Sequence, residues 1–444
     1  MKFKINFSFT QYILLILLTS VIFRFYNINF SDYWGDEQNT FYVSDPFVSF
    51  SETINRIYSM ENTNLYYFLL KKIFNIFGYV PEYGRYTTAT IGSLVPVITF
   101  ITFYKKIDNN LLLICCLVIS SNIYLIDQSQ EVRAQTYFCA SFLLCVFSSL
   151  KYLETDKFIY GIFFIIFSVT SSMLHIFGSL IFVSLIIYSL FLSKKKFYKL
   201  CLLSLFSLVI FLIINFEFLK KLYLIEYIAY AKPKLSFFYD YYFTYFFGSY
   251  FVGKILLFTY MFLLVFNFKH ILLKKNHILF ITIIIISAYL FPLIYTFIRK
   301  PTMMPRSIIY VVPLIIYSLF YFYSISNFGK KNFIMIFLIV ITLSNTIYSI
   351  RNLKTQNLTR IKNFLSNNNV NNTNIFIISD DIRKINYYMN IRNLKSKNIN
   401  MINEKNLNNI PKNSYVIIDS NQFNKIASIY EILYADPWST IIEK

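Results

Sequence analysis

The stretch Lys157-Phe-Ile-Tyr-Gly-Ile-Phe-Phe-Ile-Ile-Phe-Ser-Val-Thr-Ser-Ser-Met-Leu174-His175 carries no charged residue between its lysine and its histidine. From Ile176 a second uncharged run continues to Leu192 and stops at Ser193-Lys194-Lys-Lys196. Each run approaches the roughly 20 apolar residues that a helix needs to cross a bilayer. Basic residues close both outer ends and a lone histidine marks the turn. That is a helical hairpin which enters and leaves on the lysine side, because cytoplasmic loops concentrate Lys and Arg.

The same reading repeats outward along the chain. Apolar runs predict about eleven spans, near 10–30, 86–104, 111–127, 134–150, 158–174, 176–192, 200–217, 249–268, 278–298, 307–325 and 332–350. Composition agrees: 56% of the 444 residues are hydrophobic and only 14% charged, where a soluble domain carries roughly 25% charge. An ordinary cytosolic enzyme, an acidic disordered chain, a collagen and a disulfide-stapled secreted domain are all excluded. The net charge of +20 comes from small Lys clusters between apolar runs, which argues against nucleic acid as a partner. Cys115, Cys116, Cys139, Cys145 and Cys201 lie inside apolar runs and predict buried free thiols. The first run does not read as a cleaved signal, since it is long and is followed by polar Arg24 and Asn27.

With the N-terminus inside, every basic cluster falls on the cytoplasmic side: Lys2 and Lys4, Lys105 and Lys106, Lys151 and Lys157, Lys194 to Lys199, Lys269 to Lys275, and Lys330 with Lys331. The expected fold class is an all-α polytopic membrane protein over residues 1–350, with an extracytoplasmic α/β domain over 351–444. The expected location is the cytoplasmic (plasma) membrane. The outer loop 31–85 predicts two interfacial helices. One starts at Asp45-Pro46 with Phe47, Phe50, Ile54, Ile57 and Tyr58 on one face. The other runs from Thr63 to Phe77, interrupted by Lys71 and Lys72, and ends at Gly78. In the Asn-rich tail, Ile375–Asp380 and Tyr415–Asp419 read as strands and Ile382–Asn390 as a helix. Two glycosylation sequons, Asn357-Leu-Thr359 and Asn371-Asn-Thr373, are what chance supplies in such a stretch.

Charges kept beside spans are functional candidates by default. Asp36 and Glu37 sit in Tyr33-Trp34-Gly-Asp-Glu, read as a tight turn. A carboxylate there can take a proton from a hydroxyl or help hold a divalent cation, or it can be a solvated loop acid. Glu131 and Arg133 form a local ion pair at a helix start, or Glu131 is a second carboxylate facing the first. His175 is either interfacial or functional, and Arg306, close to Arg299 and Lys300, binds phosphate or lipid headgroups. The topology puts all of them outside, with no Walker or dinucleotide signature. A group-transfer enzyme working there needs a donor already energised, and a lipid-linked phosphate sugar fits.

The order of motifs resembles the GT-C membrane glycosyltransferases, in the dolichyl-phosphate-mannose–protein mannosyltransferase-like branch that includes aminoarabinose transferases. Trp34-Gly-Asp36-Glu37 matches the family's opening Trp-x-Asp-Glu. The next stretch, Asn62-Thr-Asn-Leu65-Tyr66-Tyr67, runs to Phe77-Gly78, with Asn-Thr-Asn where the family has His-Pro-Pro. Then follow Glu82 and Arg85, Gln130-Glu131-Val132-Arg133, His175-Ile-Phe177-Gly178, and Pro305-Arg306 with Pro313.

This resemblance implies inverting transfer of a sugar from a polyprenyl-phosphate donor to an acceptor hydroxyl on a glycan, glycolipid or protein. It implies Asp36 as base, with Glu37 or Glu131 supporting it. Arg85, Arg133, His175 and Arg306 would hold the donor phosphate, and Trp34, Tyr66 and Tyr67 the sugar or acceptor. A divalent cation (Mg2+ or Mn2+) on Asp36 and Glu131 is a further option. The competing classes are a lipid-linked oligosaccharide flippase, a polymerase, and a non-catalytic glycan-assembly partner.

Overall fold

Ser8 opens the first helix. Its hydroxyl accepts the Gln11 N–H at 3.3 Å while the Gln11 side chain accepts the Ser8 N–H at 2.8 Å, a reciprocal cap from which α1 (Phe9–Phe25) runs. The structure is a computed structural model that describes residues 7–29, 31–59, 65–224, 246–274, 277–298, 304–325, 339–340, 342–344, 346–347, 374–379, 381–390, 399–401, 409–411, 414–419, 431–435 and 439–443. After α1 come α2 (Gly35–Val43), α3 (Phe50–Ser59), α4 (Leu65–Phe77), α5 (Pro81–Phe103), α6 (Asn109–Ser120), α7 (Ile123–Gln130), α8 (Ala134–Thr155), α9 (Phe158–Leu174), α10 (Leu180–Ser189) and α11 (Lys194–Leu224). Helices Tyr250–Phe266, Phe268–Lys274, His277–Ile298 and Val311–Ile325 follow. Ten of the eleven expected spans coincide with helices; most of the eleventh, 332–350, lies outside the described residues, as do both sequons, Arg299 and Lys300.

Among the described residues, four helices are long and apolar enough to cross a membrane, or five if one bent pair is a single span. The shorter α1, α9 and Tyr250–Phe266 have 17 residues each, the lower end of spanning length. Lipid-facing surface is visible on α11, where Leu202, Phe206, Val209, Ile213 and Phe216 form an exposed apolar stripe. The expected span 111–127 is broken, with α6 and α7 meeting at 52°. Asn122 causes the break by capping α7, its side chain accepting the Leu125 N–H at 3.0 Å. The carbonyl of Ser120, left over at the end of α6, accepts from the fully buried Arg24 at 2.9 Å.

Among the described residues the outer loop holds three helices where the sequence leads one to expect two. The Trp34-Gly-Asp-Glu stretch is the start of α2, not a tight turn: Trp34 is the N-cap, and Glu37 reaches back to its N–H at 3.4 Å. The next helix begins at Phe50, because Asp45 Oδ1 accepts the Phe47 N–H in a turn of its own. Lys71, which interrupts the apolar face of α4, caps that turn by donating to the carbonyls of Asp45 (2.7 Å) and Val48 (2.6 Å).

The described residues of the tail form a five-stranded sheet in the order β2-β1-β3-β5-β4, from β1 (Ile375–Ile378), β2 (Ile399–Met401), β3 (Tyr415–Asp419), β4 (Glu431–Ala435) and β5 (Ser439–Glu443). The first three are parallel and the rest antiparallel. The Ile382–Asn390 helix follows β1. Alternation with period two sorts the strand side chains. Ile375, Ile377 and Ile417 join the main core of the bundle together with Tyr387 and Tyr388, whereas Phe376, Ile378, Val416 and Ile418 form a separate cluster. The sheet unit and the bundle therefore share one core.

The bundle has two chemically different ends. Helix α8 has 22 residues, about 33 Å at 1.5 Å per residue, and separates Arg133 from Glu154. Around Glu154 the expected basic clusters converge: Lys106 and Lys151 pair with it, and Lys199 pairs with the neighbouring Asp156 at 2.5 Å.

Candidate active site

Two adjacent acids open α2, where negative charge complements the helix dipole. Their side chains diverge. Glu37 points inward and is 1% exposed. Its Oε1 accepts from Arg85 Nε (3.1 Å) and the Val132 N–H (2.9 Å), and its Oε2 accepts from Arg85 Nη2 (2.7 Å). Arg85 gives its remaining N–H groups to the carbonyls of Ser31 (2.7 Å), Asp32 (3.1 Å) and Ile28 (3.3 Å). A guanidinium has five donors, and all five are committed. The structure thus places Glu37 and Arg85 together as a buried pair that ties α2, α5 and the loop before α8 into one body, with no donor of Arg85 left over for a phosphate.

Asp36 turns the other way and is partly exposed at this end of the bundle. Its Oδ2 lies 3.0 Å from Arg306 Nη1 and 3.2 Å from Arg133 Nη2, and Arg133 also donates to its carbonyl at 3.2 Å. Trp34 is partly exposed beneath both cations, its ring centre 5.8 Å from the Arg133 guanidinium carbon and 6.0 Å from that of Arg306, within cation–π range. Arg133 caps α8 and Arg306 sits in the 3-10 turn Pro305–Ile308, so residues 270 positions apart meet here.

Glu131 ends α7 and accepts from Gln128 Nε2 at 3.4 Å. Loss of water contact, reinforced by the charges of Glu37 and Asp127, pushes its carboxyl up to about 8, against the pull of Arg133 and Arg306. His175 stands between α9 and the following 3-10 turn, stacked on Phe138 at 5.1 Å. Its Nδ1 accepts the Phe177 N–H at 3.2 Å, which places the ring proton on Nε2. Burial, then Arg306 and Arg133, pushes it down to about 4, so it is a neutral donor near pH 7. Gly178 permits this fold of the chain, since a Cβ there would lie 2.5 Å from the Ser171 carbonyl carbon.

Tyr66 and Tyr67, expected to face sugar or acceptor, are instead core side chains. Tyr66 packs edge-on to Tyr137 at 5.2 Å, and Tyr67 joins Val43 and Ile57 in a small cluster. Asn62-Thr-Asn lies outside the described residues. The donors present do not fit a divalent cation: two guanidiniums crowd Asp36, and no three His, Cys, Asp or Glu residues gather among the described residues.

Sequence reasoning missed the wall that the tail contributes. Tyr387 stacks on Tyr33 at 4.9 Å, and its hydroxyl accepts the Tyr33 N–H at 3.0 Å. The amphipathic pattern of Ile382–Asn390 is a signal that could have pointed to a docking face, but contacts across 354 positions leave no local mark of the partner.

No protein-family model and no curated protein matches this chain in sequence. Solved structures do match. ArnT from Cupriavidus metallidurans in the apo state superposes with a TM-score of 0.60, at 9% identity over 98% of each chain. The same protein bound to undecaprenyl phosphate gives 0.57, also at 9% identity over 98% of each chain. At that identity the likeness carries architecture: the chain has the GT-C, ArnT-like fold over nearly its whole length, an integral-membrane helical bundle with a small C-terminal α/β unit.

Proposed function

We propose that the protein is an inverting membrane glycosyltransferase that moves a sugar from a polyprenyl-phosphate donor to an acceptor hydroxyl, at the extracytoplasmic face of the cytoplasmic membrane. The observation that carries this reading is Asp36 held by Arg133 and Arg306 above Trp34. One carboxylate and two guanidiniums leave one excess positive charge, and a phosphodiester-linked sugar brings one negative charge. The similar ArnT structure with undecaprenyl phosphate bound supports the donor class.

In this mechanism the donor phosphate draws Arg133 and Arg306 onto its oxygens and frees Asp36. Asp36 takes the proton of the acceptor hydroxyl, and the acceptor oxygen bonds to the anomeric carbon. The bond from that carbon to the phosphate oxygen breaks, and its electron pair leaves with the polyprenyl phosphate. Negative charge grows on the phosphate, where Arg133, Arg306 and the His175 Nε2–H stabilise it. Glu131, protonated below about 8, adds a donor without adding charge. Glu37 and Arg85 act as positioning residues, and Trp34 offers a ring face to the sugar.

The test uses membranes carrying the native chain or Asp36→Asn at matched levels, incubated with polyprenyl-phosphate sugars and envelope extract. Mass spectrometry follows donor loss and new glycosylated product. Consumption by the native chain alone is the expected result; equal consumption by both removes Asp36 as the base, and none by either sinks the transferase reading.

A further inference from the structure

The Ile382–Asn390 helix presents one face to the candidate site. Asn386 accepts from the Tyr79 hydroxyl at 2.8 Å, and Tyr387 both stacks on Tyr33 and accepts its N–H. Arg383 lies three and four positions before these residues, so it shares their face one turn back. It therefore overlies α2, where Asp36 and Tyr42 are among the groups whose charge it feels.

Arg383 is also held in a fixed orientation. Asp381 grips one edge of its guanidinium, Oδ1 accepting from Nε and Oδ2 from Nη2, both at 2.7 Å. Asp381 is itself set by the Arg383 N–H at 2.9 Å and by donating its own N–H to Ser379 at 3.1 Å. The far edge, Nη1, makes no hydrogen bond among the described residues, and the side chain is 39% exposed. A guanidinium clamped along one edge by a carboxylate, with the other edge presented, is pre-organised for a further anion.

We infer that the C-terminal α/β unit completes the site by supplying Arg383 as a third guanidinium that contacts a phosphate group of the substrates. The inference rests on the transferase reading above, and the phosphate can belong to the donor lipid or to the acceptor. It gives the tail a role in substrate binding, with Tyr387 as the residue that seats it.

The test uses the full-length chain in nanodiscs, native, Arg383→Gln and Arg383→Lys. The probes are undecaprenyl phosphate, undecaprenol as its uncharged control, and inorganic phosphate as the soluble arm. The expected result is that Arg383→Gln weakens binding of a phosphate probe about tenfold, the scale of one charge-assisted hydrogen bond. Undecaprenol binding and thermal stability should stay unchanged, and Arg383→Lys should recover part of the loss. A loss confined to undecaprenyl phosphate assigns Arg383 to the donor, and a loss confined to inorganic phosphate assigns it to the acceptor side. If the native chain prefers undecaprenyl phosphate to undecaprenol and Arg383→Gln keeps that preference and its inorganic phosphate binding, the inference is overturned while the transferase reading stands. A native chain with no preference for any phosphate overturns both.

Discussion

Successive residues on a helix are rotated by about 100°, so Asp36 and Glu37 do not both face a substrate; the motif resemblance names Asp36 as the base, but the two acids' own chemistry does not separate them. Burial decides it: Glu37 is enclosed with Arg85, and Asp36 stays partly exposed between Arg133 and Arg306. Removing one member of a buried ion pair costs about 3–5 kcal/mol, because the other is stranded. Arg85→Ala should therefore lower the thermal unfolding temperature markedly, as read by tryptophan fluorescence in detergent. Asp36→Asn should leave that temperature nearly unchanged and cut transfer by about 10²-fold or more, the scale of a lost general base. Glu131 supplies a pH test at the same scale. A carboxyl raised to about 8 is neutral below that value and anionic above it. Native transfer should thus hold through neutrality and fall as pH passes through 8, because new negative charge would then face the donor phosphate. Glu131→Gln should flatten that fall; an unchanged limb would detach Glu131 from the chemistry. Asp36, Glu131, Arg133, His175 and Arg306 are legible in the sequence because charges beside apolar runs are rare, whereas the tail residues that join them carry no such mark. The resemblance points Arg85 at the phosphate, and nothing local in the sequence shows that its five donors go to the turn at Ile28–Asp32 and to Glu37.

At the scale of elements, apolar runs located the helices well but misjudged two features for one shared reason. The 111–127 run reads as continuous since Ser120-Ser-Asn122 costs little hydropathy, yet Asn122 caps a new helix there. Trp34-Gly-Asp-Glu looks like a turn because Gly and Asp favour turns, yet the same acids suit the first turn of α2. Caps and turns use the same residues, so local chemistry alone does not separate them. The break in the third span has a consequence for the site, because α7 carries Glu131 and leads to Arg133. Gln130 pins that end of α7 by donating to the Arg24 carbonyl at 2.8 Å, and Gly92 on α5 lets it approach. A Cβ at Gly92 would lie 2.4 Å from Ser129 Cβ, so Gly92→Ala must push α7 away. The expected outcome is a loss of about 1–3 kcal/mol of stability, with weaker donor binding than Ala substitution at exposed Thr90 on the same helix produces. Equal donor binding by both variants would mean that α7 does not set the site.

For the whole molecule, the two ends of the bundle follow from charge. Lys106, Lys151 and Lys199, far apart in sequence, gather with Glu154 and Asp156 at one end, and Asp36, Arg133, Arg306 and His175 gather with the sheet unit at the other. A membrane biases retained Lys and Arg toward the cytoplasm, so the Glu154 end should face inward and the site outward. The native thiols help the experiment, because Cys115, Cys116, Cys139 and Cys145 are buried and should stay silent to a membrane-impermeant maleimide. Phe47, 83% exposed in the loop beside α2, and Thr155 at the far end of α8 are the two reporters. In intact cells, Phe47→Cys should label above the native background and Thr155→Cys should label only after permeabilisation. The reverse pattern would turn the protein over. It would place the Asp36 site on the cytoplasmic side, where nucleotide-activated donors are available and the argument for a lipid-linked donor loses its force.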